Sequence, residues 1–152
     1  MRLLPIEKGG VVTEGIGPLP AEAEDVLAAT SALYEAVGYA PPWICYVAIA
    51  SDKVVGTCGF KGPPAQGRVE IAYFTFPPYE GKGIATQMAR QLVSMARDAD
   101  AGVIVAAQTL PERNASHRVL EKLGFSQVAV LEHPEDGTVL EWRRPDIASA
   151  SS

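Results

Sequence analysis

The sequence has few cysteines, little basic charge and no long apolar run. Two cysteines, Cys45 and Cys58, cannot make a disulfide framework. In a reducing compartment they read as small core residues. The 13 Lys+Arg are outnumbered by 18 Asp+Glu, giving a net charge of −5. That balance argues against a nucleic-acid partner, which needs a basic face. No apolar run approaches the roughly 20 residues that cross a bilayer. The opening MRLLPIEKGG is too short in apolar residues for a secretory signal. The expectation is a cytoplasmic protein with no membrane partner. The histidines, His117 and His133, stand alone without ligand spacing, so no metal is expected and both are placed on the surface.

What the chain does have is 14 Gly and 12 Pro, placed at the ends of regular segments. Its 152 residues suit one domain, expected over residues 1–145, with residues 146–152 as a flexible tail. Residues 2–6 read as a strand. Ala21 to Val37 has helical spacing at Val26, Leu27, Leu33, Tyr34 and Val37, acid near its start and Gly38 to stop it. Trp43–Ala50 and Lys53–Phe60 read as strands around a two-residue Ser51-Asp52 turn. That turn predicts Cys45 opposite Cys58. Arg68–Phe76 is a third, buried strand stopped by Pro77-Pro78. Gly83–Asp100 is an amphipathic helix with Ile84, Met88, Leu92 and Met95 inward. A strand at Val103–Ala107, a helix at Ala115–Leu123 and a hairpin of Phe125–Glu132 with Thr138–Arg143 follow. The order β α β β β α β α β β predicts an α/β, or α+β, mixed sheet.

The segment from Glu70 to Thr86 carries most of the chemistry. A buried strand breaks at Pro77-Pro78, passes through Gly81-Lys82-Gly83 and enters a helix. Glycine lets a ligand approach the backbone, and a helix N-terminus offers free N–H groups to phosphate. A Rossmann turn needs G-x-G-x-x-G or -A, and Thr86 stands at its third position. A P-loop is absent. A helix start with glycines only for turning, or a coenzyme A pyrophosphate site, remain.

Glu80-Gly81-Lys82-Gly83-Ile84-Ala85 resembles the [Q/R]-x-x-G-x-[G/A] signature of the GNAT superfamily of acetyl-CoA-dependent N-acetyltransferases. Val69–Tyr73 before it is also similar. Ala115–Phe125 is similar to the branch related to ribosomal-protein N-terminal acetyltransferases, whose pattern is P-x-N-x-x-S followed by V-L-x-K-x-G-F. Together these stretches span about residues 68–126. The resemblance implies the GNAT fold, a central, mostly antiparallel sheet flanked by helices, with strands splayed at the cofactor slot. It implies transfer of acetyl from acetyl-CoA, as cosubstrate, directly to a primary amine of a small molecule or a peptide or protein N-terminus. A homodimer is compatible with it. The competing reading is a non-catalytic module that binds an acyl-CoA as a sensor.

By the same resemblance, the backbone from Gly81 through Lys82, Gly83, Ile84 and Ala85 to Thr86 holds pyrophosphate, with Lys82 able to add charge. Phe74 and Phe76 mark the strand end that pairs with pantetheine amides. Glu70 is the candidate general base, with a strand-end structural role as its alternative. Ser116 is the candidate acid toward the leaving thiolate, with helix capping as its alternative. The chain departs from the pattern at three places. Leu120 stands where many members carry a Tyr acid. The usual Asn falls at Arg113, with Asn114 one residue later. Arg113 and Asn114 are both candidates for the cofactor-binding role of that Asn, with Arg113 reaching the cofactor and Asn114 also able to cap the helix. Glu80 replaces Gln or Arg. A carboxylate about 8 Å from a phosphate costs about 2 kcal/mol at an effective dielectric near 20, so Glu80 is expected to point to solvent. Tyr39 and Trp43 are either acceptor-pocket walls or core edges.

Overall fold

The computed structural model describes residues 1–13 and 19–144; the expected tail at residues 146–152 lies outside the described residues. Ten regular elements appear in order: β1 (Arg2–Pro5), α1 (Ala21–Val37), β2 (Cys45–Ala50), β3 (Lys53–Phe60), β4 (Arg68–Thr75), α2 (Ile84–Ala99), β5 (Ile104–Thr109), α3 (Ala115–Lys122), β6 (Ser126–His133) and β7 (Gly137–Arg144). This is the order read from the sequence, with ends shifted by one or two residues. Pro77–Tyr79, read only as a stop, forms one 3-10 turn.

The strands make one mixed sheet in the order β1-β2-β3-β4-β5-β7-β6. Every neighbouring pair is antiparallel except β4 with β5. That parallel pair is short. It joins only Arg68↔Ile104, Val69↔Val105 and Glu70↔Ala106, after which the strands separate. β4 continues to Thr75 with a backbone edge that β5 no longer covers.

The β2–β3 turn sets the register with Ser51 at φ 50° and Asp52 at φ 63°. These left-handed values match the twist of a two-residue hairpin. Ala50 pairs with Lys53 and Ile49 with Val54, as the turn requires. A bulge between Ala48 and Ile49 then shifts the ladder by one, so Cys45 faces Gly59 and Cys58 faces Tyr46. The expected pairing of Cys45 with Cys58 is therefore corrected. A Cβ at residue 59 would lie 2.5 Å from the Cα of Cys45, so glycine is what lets these strands close there.

α2 places Ile84, Met88, Ala89, Leu92, Val93 and Ala96 inward, against β3 and β4. α1 buries Ala23, Thr30 and Tyr34. The Tyr34 hydroxyl donates to the Ile6 carbonyl at 2.7 Å and accepts from the Cys45 N–H at 2.9 Å, tying α1 to β2 and to the chain just beyond β1. Val37, the last residue of α1, is 39% exposed. Tyr39 packs edge-on against Tyr34 and Trp43 against Phe60, so both are core edges.

His117 corrects the surface expectation. It is buried, with Nε2 2.9 Å from the Leu110 carbonyl and 3.2 Å from Thr109 Oγ1. Its ring meets Trp142 edge-on, and Trp142 Nε1 donates to Thr109 Oγ1 at 2.9 Å. This polar cluster pins α3 to β5 and β7. His133 is exposed, beside Asp136.

Candidate active site

The turn between β4 and α2 is built from two left-handed glycines, Gly81 at φ 77° and Gly83 at φ 78°. No heavy atom lies within 4 Å of where a Cβ would stand on either, so open space faces their backbone. Gly83 is the residue before the first turn of α2, and it has no side-chain cap. The N–H groups of Ile84, Ala85 and Thr86 have no carbonyl one turn back inside the helix. They form the positive end of a helix dipole at the floor of a cleft.

That cleft has a volume of about 620 Å³. Glu80, Gly81, Gly83, Ile84, Ala85 and Thr86 line one side, and Asn114, Ser116, Arg118 and Lys122 the other. Lys82 is exposed and does not line it. Glu80 is exposed at the rim. Arg118 and Lys122 went unnoticed in the sequence. They lie four residues apart on α3 with Asn114, and that spacing was the available signal. Neither forms an ion pair within 4 Å among the described residues, although Arg118 acts on the Glu121 carboxylate from farther away. A phosphate-bearing ligand fits this donor set of backbone N–H groups and two cations.

The cleft adjoins the gap between β4 and β5, sharing Tyr73 and Ser116 with it. There a slot of about 100 Å³ is lined by Lys61, Ile71, Ala72, Tyr73, Ala107, Gln108 and Ser116. Beyond it lies an apolar pocket of about 320 Å³ between α1 and strands β2 to β4. Val26, Thr30, Leu33, Cys45 and Phe74 are among its walls, and Lys61 is its one charged wall residue among the described residues. Tyr73 borders all three spaces. Burial pushes its phenol up to about 12, with the Ser116 hydroxyl beside it pulling the other way. It was passed over as an ordinary strand residue.

The expected residues fall unevenly. Phe74 is 44% exposed and borders the cleft and the apolar pocket. Phe76 is fully buried, so its side chain is a core residue and cannot meet a ligand. Arg113 turns away to pair with Glu121 at 2.6 Å and does not line the cleft, which corrects its expected reach to the cofactor. Asn114 Oδ1 accepts the Ser116 N–H at 2.9 Å and caps α3. Leu120 is fully buried, as an apolar residue at that place should be.

Glu70 lies largely buried beside the slot, with Lys61 Nζ at 2.7 Å from one oxygen and Arg68 at 3.3 Å from the other. Arg68 also forks onto Glu141, at 2.6 and 3.2 Å. Arg143 donates to Glu141 at 2.8 Å and Gln108 at 3.4 Å. Burial alone would raise the Glu141 carboxyl. The hydrogen bonds from Arg68, Arg143 and Gln108 outweigh it and hold the group below its ordinary value. Burial pushes the Cys45 thiol up to about 11 and Cys58 higher still, so neither is a thiolate at neutral pH. Among the described residues no cluster of His, Cys, Asp and Glu could hold a metal. No helix of the described chain is long and apolar enough to cross a membrane.

A glycine-built helix start thus opens on a cleft beside a parted pair of parallel strands. A family model described as an acetyltransferase (GNAT) domain matches residues 11–126, and the chain belongs to that family. It is 34% identical over 94 residues to N-acetylaspartate synthetase of Xenopus tropicalis, covering 60% of this chain and 34% of that protein. The chain spans less than half the length of the curated relatives it matches. In fold it is similar to the ribosomal-protein-alanine N-acetyltransferase from Brucella melitensis, with TM-score 0.63, 17% identity and coverage of 81% of this chain and 78% of that one. It is also similar to aminoglycoside acetyltransferase AAC(6')-Ib in complex with coenzyme A and kanamycin, with TM-score 0.59, 20% identity and coverage of 72% and 70%.

Proposed function

We propose that this chain transfers the acetyl group of acetyl-CoA directly to a primary amine. The observation that carries the reading is that the cleft at the left-handed Gly81 and Gly83 and the slot between β4 and β5 share Tyr73 and Ser116 as walls. Acetyl-CoA supplies an activated acyl carbon and a thiolate leaving group. The backbone from Gly81 to Thr86 holds its pyrophosphate, while Arg118 and Lys122 oppose the phosphate charge across the cleft. The uncovered edge of β4 from Ile71 to Thr75 offers backbone groups to an extended ligand.

Glu70 does not line the slot itself but contacts Lys61, which does; from there it takes a proton from the acceptor ammonium, and Ser116, in the slot wall, holds a hydroxyl proton for the departing sulfur. Tyr73 buttresses Ser116. The acceptor amine enters through the apolar pocket. Among the described residues that pocket has no carboxylate in its wall, which favours an amine on an apolar body, such as an alkylamine or an apolar N-terminal residue, over a polycation.

The test is thiol release from acetyl-CoA across a panel of alkylamines, polyamines, aminoglycosides and short peptides, with mass-spectrometric detection of acetylated product. Turnover on apolar amines with polycations poor supports the reading. Coenzyme A binding without turnover on any amine would instead establish the sensor module, which the loss of the usual Tyr at Leu120 favours. In Glu70→Gln the pH–rate profile should lose its acid limb; an unchanged profile removes Glu70 as the base.

A further inference from the structure

Lys61 is a primary amine already seated where this reading puts the acceptor. It follows the last residue of β3, and its backbone N–H is held by the Glu70 carbonyl at 2.9 Å. Its Nζ lies 2.7 Å from Glu70 Oε2. It borders both the slot, together with Tyr73, Gln108 and Ser116, and the apolar pocket behind it. The chain has five lysines, at positions 8, 53, 61, 82 and 122. Among the four others only Lys122 borders the donor cleft, and none borders the slot. Lys61 is also the only lysine with a carboxylate contact among the described residues.

We propose that Lys61 is a site of self-acetylation, an intramolecular acceptor that takes acetyl from the donor bound in this chain's own cleft. The inference rests on the donor-site reading above. In the step, the Lys61 ammonium gives one proton to Glu70, and the free amine attacks the thioester carbon. The new N–C bond forms and the C–S bond breaks. The nitrogen's second proton passes by way of Ser116 to the thiolate, leaving coenzyme A as the free thiol and Lys61 as a neutral amide. No oxidant or metal is required. The product loses its positive charge, so the ion pair with Glu70 is lost.

The experiment incubates the full chain with acetyl-CoA and no other amine. Intact mass and peptide mapping follow each lysine in time, and a parallel set measures coenzyme A affinity. The expected result is one acetyl group on Lys61, at a rate independent of protein concentration and at least tenfold above Lys8 or Lys53. Lys61→Arg should abolish it while leaving coenzyme A affinity within twofold. A second readout needs no turnover: coenzyme A should protect Lys61, and not Lys8 or Lys53, from trace labelling by acetic anhydride. Acetylation spread evenly over the lysines, or second order in protein, overturns the proposal. So does an unmodified Lys61 in a chain that binds coenzyme A and acetylates external amines, an outcome that leaves the donor-site reading intact. Failure to bind coenzyme A at all removes both.

Discussion

Arg68 of β4 reaches across β5 to grip Glu141 of β7, two strands away, with bonds of 2.6 and 3.2 Å. The pair sits where the parallel ladder is intact, just before the strands part. It is thus the side-chain reinforcement of the narrowest part of the sheet.

Replacing Glu141 by Gln should cost about 2 kcal/mol at pH 7, or roughly 6 °C in melting temperature, because the half-buried Arg68 fork and Arg143 lose the buried charge they share. The folded carboxyl lies below its unfolded value. Its contribution is therefore complete above the unfolded pKa, near 4.3, and is lost as pH falls through the folded value. Melting curves of both proteins from pH 7 to pH 3 should converge at the acid end. A constant gap would show that the charge is not what Glu141 contributes.

Gly83→Val places a branched side chain at φ 78° and fills the open space before the turn. Strain of about 1–2 kcal/mol leaves a folded protein. Coenzyme A affinity, read by calorimetry, should fall at least tenfold. Unchanged affinity would move the phosphate site elsewhere.

The two phenylalanines at the end of β4 should separate cleanly. Phe76→Ala empties a fully buried site and should cost about 3–5 kcal/mol of stability. Phe74→Ala should change stability little, since the ring is 44% exposed, yet raise KM for an acceptor or donor that uses either wall it borders. Equal melting losses would contradict the assigned burial.

Much of this was legible in the chain. Pro77-Pro78 and Gly81-Lys82-Gly83 are local signals, and local chemistry suffices to mark a strand end and a helix start. The stripe of Ile84, Met88 and Leu92 needed only helical spacing. Phe74 and Phe76 would share a face by alternation, yet Phe74 is exposed and Phe76 is buried, because β4 ends at Thr75 and the chain turns at Phe76. His117 was misplaced for a related reason: its partners, Thr109, the Leu110 carbonyl and Trp142, lie on β5, just after it and on β7. Cys45 lost its expected partner to one bulge, which no spacing rule reveals. Tyr73 and Lys61 acquire their place only when β4 parts from β5, a property of the assembled sheet.

Asn114→Ala removes the cap of α3 and should cost about 1 kcal/mol. It also frees the backbone that positions Ser116. Turnover should therefore drop more than the small stability loss explains, with Ser116→Ala dropping it further and Asn114→Asp, which keeps the cap, restoring most of it. Steady-state kinetics beside melting curves distinguishes the two effects. If Asn114→Ala leaves kcat unchanged, the placement of Ser116 does not matter to the reaction.

The three-pair ladder between β4 and β5 has a mechanical meaning. It divides the sheet into two lobes, β1 to β4 and β5 to β7, joined by a hinge one short ladder wide. A donor threaded between them would act as a peg through both leaves. Amide exchange in β5 and β7, far from any phosphate, should then slow on coenzyme binding as much as exchange in the turn itself.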